Sequence, residues 1–220
     1  MARTEVGPEH DGAQPHLILP AGRRARGVVL ALHGGAPRST VATPSFDPGY
    51  LRLVLAARSI TARSRGRLAV VLLRNAVRGW NGAGESPVLD AQWALDRVAA
   101  TYPGLPIGLL GHSLGGRTAY ALAHRPEVRG LVALAPWMSD AYDAHDFLGT
   151  PTLVVHGKVD TVTDADASED LVRRIRSLGG DARFESVAGS HPLLWRAGRI
   201  HSMAGTFLTQ SLARTVTTPH

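Results

Sequence analysis

Six short runs of strand-like residues, separated by segments with helical periodicity, restrict this chain more than any other feature. Residues 28–32, 68–73, 107–110, 131–134 and 152–155 are nearly all apolar, as strands buried on both faces must be. A sixth run, 182–187, alternates in the manner of an edge strand. Strands that alternate with helices predict an α/β chain. The expected architecture is a three-layer αβα sandwich around a mostly parallel sheet of about six to eight strands.

The helix starts are written in the sequence. Asp47-Pro48 and Ser86-Pro87 each set a capping side chain before a proline, whose missing N–H costs nothing at the first helical position. The first helix is expected to run through Leu51, Leu55 and Ala56 toward Arg63. The second presents Leu89, Trp93, Leu95 and Val98 and stops before Pro103. Thr163 and Asp166 read as a capping box ahead of Leu171, Val172 and Ile175, with Gly179-Gly180 as the stop. A last helix, about 199–213, carries Met203, Phe207 and Leu208 on its apolar face.

The 220 residues are 44% hydrophobic and 19% charged, a balance that supports one buried core. Residues 1–220 therefore read as a single domain, with 1–14 and 215–220 as frayed ends. No apolar run reaches the roughly 18 residues of a membrane span, and Glu5, Glu9 and Asp11 stand where an export signal needs a basic start. The expectation is a cytoplasmic protein without membrane attachment. The absence of cysteine excludes disulfides and thiol nucleophiles. The net charge of +6 is carried by arginine apart from Lys158. Its clusters, at Arg23, Arg24 and Arg26, at Arg63, Arg65 and Arg67, and at Arg173, Arg174 and Arg176, are dispersed and lack interleaved aromatics, so they read as solvated surface and not as a nucleic-acid interface.

The chemistry centres on Gly111-His112-Ser113-Leu114-Gly115-Gly116, set between a strand ending at Leu110 and a helix carrying Ala119, Leu122 and Ala123. A sharp strand-to-helix turn holds the central serine in a strained conformation and leaves no room for side chains at positions 111 and 115. A serine hydroxyl also needs a base and a group that orients the base. His191, in Gly189-Ser190-His191-Pro192, follows the last strand. Asp160, in His156-Gly157-Lys158-Val159-Asp160, follows the strand at 152–155. All three lie at the C-terminal ends of strands, in the order Ser113, Asp160, His191.

With these motifs the chain resembles an α/β-hydrolase of the serine type, over about residues 27–207. Within that family it resembles small actinobacterial hydrolases, through Arg78-Gly79-Trp80-Asn81, the helix around Trp93, and Ala135-Pro136-Trp137. The resemblance implies Ser113 as nucleophile, His191 as base and Asp160 as acid, with Asp140 as the alternative acid because some relatives place it after the preceding strand. His33-Gly34-Gly35 resembles the family's oxyanion loop. The oxyanion would then rest on the backbone N–H of Leu114 and on that of Gly35 or Ala36. Only the fourteen residues 136–149 stand where many relatives insert a lid, so no cap domain is expected.

The implied activity is hydrolysis of a carboxylic ester with a small or loosely held acyl group, without metal or cofactor and with a small-molecule acyl substrate as the partner. Trp80, Trp137 and Trp195 are candidates for lining the acyl pocket. Arg74 and Arg78 are read as solvated or ion-paired before they are read as anion sites. Asp140, Asp143, His145 and Asp146 lack the spacing of a metal site. A thioesterase or acyltransferase using the same triad, and a non-catalytic binding protein on the same fold, are the alternatives.

Overall fold

The computed structural model describes residues 2–20, 25–81, 85–139 and 142–214. Arg23, Arg24, Asp140 and the end at 215–220 lie outside the described residues. Eight strands form one sheet: β1 (Arg3–Val6), β2 (His16–Leu19), β3 (Gly27–Leu32), β4 (Leu68–Arg74), β5 (Ile107–His112), β6 (Val128–Leu134), β7 (Thr152–Gly157) and β8 (Ala182–Val187). Their spatial order is β1-β2-β4-β3-β5-β6-β7-β8. The six from β3 to β8 run parallel, and β1 and β2 are antiparallel additions at one edge. β3 and β5 lie at the centre and are buried along their whole length.

Five helices cover the sheet: α1 (Pro48–Arg63), α2 (Ser86–Thr101), α3 (Leu114–Ala121), α4 (Ala165–Ser177) and α5 (Ala197–Arg214). Leu95 and Val98 of α2, Ala119 and Tyr120 of α3, and Leu171 and Ile175 of α4 pack on one face. Leu53, Ala57 and Ile60 of α1 and Ala204, Phe207 and Leu208 of α5 pack on the other. This is the expected αβα sandwich. Between β6 and β7 the described chain forms only a 3₁₀ turn, Ala144–Phe147, and no cap domain. No described helix is long and apolar enough to cross a membrane.

Several local expectations are corrected. The N-terminal residues expected to fray instead form β1, because main-chain pairing needs no apolar side chains. Arg3 to Val6 pair with Leu19 to His16, and Arg97 Nε holds Glu5 at 2.7 Å. Asp47 caps α1 as expected, accepting from the Gly49 and Tyr50 amides. On that helix Leu51 and Leu55 face solvent, while Tyr50, Leu53, Ala56, Ala57 and Ile60 face the core. Leu89 of α2 is likewise exposed. Ser86 is the first residue of α2 and not its cap. Glu85 takes the cap position with φ 43°, and the Ser86 hydroxyl donates to Asp11. The cap of α4 is Asp164, which accepts from the Ala167 amide; Thr163 is engaged elsewhere.

The phase of α1 has a measurable consequence. Ile60→Ala should cost about 2–5 kcal/mol through the lost burial and the cavity left behind, whereas Leu55→Ala, at a position 58% exposed, should stay within about 0.5 kcal/mol. Urea denaturation of the two variants checks this, and equal losses would contradict the core face that α1 presents.

Candidate active site

The turn from β5 into α3 places Ser113 at φ 55° and ψ −117°, a conformation that costs roughly 1–3 kcal/mol for a residue with a side chain. The surrounding backbone leaves the chain no alternative. A Cβ on Gly115 would collide with the Leu32 carbonyl oxygen, and one on Gly111 with the Gly115 carbonyl. The Ser113 amide donates to the Leu134 carbonyl at 2.9 Å, tying the turn to the end of β6. The Ser113 hydroxyl projects toward the ends of β7 and β8.

There it meets the other two expected residues. Ser113 Oγ lies 2.9 Å from His191 Nε2, and His191 Nδ1 lies 3.0 Å from Asp160 Oδ2. Neutral His191 can therefore donate from Nδ1 to the carboxylate and accept the hydroxyl hydrogen at Nε2. The Asp160 side chain is closed to solvent. Its Oδ1 accepts from the Val162 and Thr163 amides at 2.8 and 3.1 Å. Thr163 Oγ1 donates to Oδ2 at 2.9 Å and lies 3.2 Å from His191 Nδ1. Burial pushes the Asp160 carboxyl up, but the bonds from Val162, His191 and Thr163 outweigh it and hold the group below the usual carboxylate range.

The loop after β3 runs beside this turn. His33 Nδ1 donates to the Gly34 carbonyl at 2.6 Å and Nε2 accepts from the Asn75 amide at 3.0 Å, which pins the loop to the end of β4. A Cβ on Gly34 would come 3.3 Å from that of Ser113, and one on Gly35 would collide with the Arg78 carbonyl. The Ala36 amide already donates to that carbonyl at 2.7 Å. The amides of Gly35 and Leu114 have no acceptor among the described residues.

Three residues that sequence reasoning left out of the site complete it. Thr163 is one; an Asp-x-x-Thr spacing, which lets a carboxylate turn back on the next amides, was its available signal. His112 is the second. Its ring is shut from solvent, Nε2 donates to the His191 carbonyl at 3.1 Å, and Nδ1 has no partner. Burial drives the imidazole down to about 4, so it stays neutral beside the triad. The third is Arg117, whose guanidinium lies between Trp80 and Trp137.

The remaining candidates are disposed differently from one another. Trp80 is buried and Trp137 partly so, both close to Leu114. Trp195 is 62% exposed and lines a shallow groove with Lys158, Arg199 and Met203. Arg78 pairs with Asp47 at 3.1 Å, and Arg74 donates to the Thr43 carbonyl at 2.7 Å. Asp143 caps the 3₁₀ turn and bonds His145.

The comparisons with known proteins agree with this architecture. The family model described as serine aminopeptidase, S33, matches residues 76–148, which include the turn at Ser113. A putative α/β hydrolase of unknown function from Agrobacterium tumefaciens superposes with a TM-score of 0.75 at 18% identity, covering 97% of this chain and 97% of that one. An esterase from Pyrococcus furiosus gives 0.74 at 14% identity, over 96% of this chain and 91% of that one. A highly thermostable carboxyl esterase from Bacillus coagulans gives 0.74 at 12% identity, over 96% and 99%. No curated protein matches the sequence. These likenesses show that the chain has the fold of the α/β hydrolases, and what it does with that fold is decided by the site.

The neutral His112 links this site to stability. The unfolded chain takes up a proton near pH 6.5 that the folded protein refuses until about 4. The associated stability, about 3 kcal/mol, is fully present above pH 6.5 and is lost as the pH falls toward 4. His112→Gln keeps an N–H donor without titrating. Its denaturation midpoints should therefore fall less steeply than the wild type's between pH 7 and 4, and parallel curves would remove His112 as the cause.

Proposed function

We propose that this chain is a serine hydrolase that cleaves carboxylic esters of small or loosely held acyl groups through an acyl-enzyme on Ser113. One observation carries the reading: an unbroken hydrogen-bonded line from Ser113 Oγ through His191 to a buried, ionised Asp160, starting at a strained strand-to-helix turn. The esterases among the structural neighbours support the choice of bond.

Ser113 Oγ attacks the carbonyl carbon while its proton passes to His191 Nε2. Asp160 holds Nδ1 toward itself and stabilises the imidazolium. The negative charge on the former carbonyl oxygen is met by the amides of Leu114 and Gly35, which have no acceptor among the described residues. Loss of one such donor costs about 3–4 kcal/mol of transition-state stabilisation. The tetrahedral intermediate collapses, and the departing alkoxide takes the proton from His191. Water then gives its proton to His191 as it attacks the acyl-enzyme, and Ser113 recovers that proton as the acid leaves. Trp80 and Trp137 border the space beside Leu114 and act as walls for the acyl group.

Fluorophosphonate labelling followed by peptide mapping tests the reading, alongside hydrolysis of p-nitrophenyl esters from acetate to decanoate. One phosphonyl group on Ser113, together with ester turnover, is the expected result; folded protein that neither labels nor turns over would sink it. Ser113→Ala and His191→Ala should each lower kcat by about a millionfold, and the double variant by little more, because the two act as a unit.

A further inference from the structure

Arg117 differs from the other arginines whose contacts are known. It lies on α3 one turn beyond Ser113, and its amide donates to the Ser113 carbonyl at 3.1 Å. Its guanidinium carbon sits 4.0 Å from the centre of the Trp80 ring and 5.0 Å from that of Trp137. Both tryptophans are anchored on backbone next to the reaction centre. The Trp137 amide donates to the same Ser113 carbonyl at 3.1 Å, and the Trp80 amide to the Ala36 carbonyl at 3.1 Å. Leu114, the proposed oxyanion residue, belongs to the same apolar cluster as both rings. Long side chains on a helix lean back toward its N-terminus, which here is the turn at Ser113.

No carboxylate among the described residues forms an ion pair with this charge. Arg3, Arg78, Arg97, Arg125, Arg173, Arg183 and Arg214 each face an acidic residue. Arg117 makes no ion pair among the described residues; its side chain is hydrogen-bonded to Tyr142, while its Nε is closed to solvent without an acceptor. Two ring faces attract a cation but satisfy none of the five N–H bonds of a guanidinium. Withdrawing the Nε–H from water without an acceptor is unfavourable. The complementary group is therefore to be sought on a ligand, and the planar fork of a guanidinium fits a carboxylate. In the proposed reaction His191 protonates the departing oxygen, so the leaving group faces the loop that carries His191. The acyl group faces Leu114 and Arg117.

We propose that Arg117, held between Trp80 and Trp137, receives an anionic end of the acyl group, so that the preferred substrates are esters of short dicarboxylic acids with one free carboxylate. This rests on the hydrolase reading and narrows its substrate class. The test compares monoethyl glutarate with ethyl pentanoate, which has the same acyl length without the charge, by pH-stat titration of the full chain. At low salt kcat/KM for the charged ester should exceed that for the neutral one by about tenfold or more, and the ratio should shrink as sodium chloride screens the pair. Arg117→Lys, which keeps the charge but loses the fork, should lower the ratio, and Arg117→Gln should bring it to one or below. The salt series on the wild type needs no variant to fold. A wild-type ratio at or below one, or turnover of neither ester while Ser113 still labels, overturns the inference and leaves the hydrolase standing. Turnover of neither ester without labelling overturns both.

Discussion

The passage of the chain from β5 into α3 is so tight that three other segments must be shaped around it. The main chain at Gly115 touches the end of β3 at Leu32, and Gly116 meets Pro136 just beyond β6. Ser113 bears the resulting positive φ. Strain of that order persists only where the surroundings over-determine it. Here they do, because the turn sits on the central strands of a sheet buried on both faces by two apolar layers. The same crowding turns the hydroxyl away from the sheet and toward the loops after β7 and β8.

Burial acts on Asp160 and on His112 near that hydroxyl, and the hydrogen-bond partners decide the outcome. Asp160 is enclosed, yet it remains a carboxylate because Val162, His191 and Thr163 supply donors. His112 is enclosed with a single bond, to the His191 carbonyl, and is neutral in consequence. One group is kept charged and the other uncharged by the same low-dielectric surroundings. An anion thus stands behind His191 without a competing cation at its other side.

The legible part of this protein was the part written in strand ends and small residues. Ser113, Asp160 and His191 could be found because each follows an apolar run, and the turn at Ser113 could be found because only glycine tolerates the close approach on both sides. The core face of α1 was not legible because Leu51 and Leu55 are apolar but face water, and a helix with apolar residues on two sides gives no unique phase. β1 was missed because it is held by main-chain pairing and by Glu5 on Arg97, neither of which leaves a hydrophobic pattern. Thr163 was assigned to a helix cap, since one hydroxyl next to a helix start fits either role until the carboxylate beside it is placed. Arg117 had no signal at all, because its aromatic neighbours come from distant loops.

The order of the strands carries a consequence for how the molecule acquires its chemistry. Ser113, Asp160 and His191 follow β5, β7 and β8, and β7 and β8 reach the central strands through the parallel pairings of β6 with both its neighbours. Each such pairing closes a large loop before it returns any contact energy. Helices can form early in a refolding chain, but Ser113 and His191 cannot come within hydrogen-bond distance until the sheet is complete from its centre to that edge. Recovered enzymatic competence would therefore be among the latest events in assembly, and it would report long-range register where spectroscopic helix content cannot.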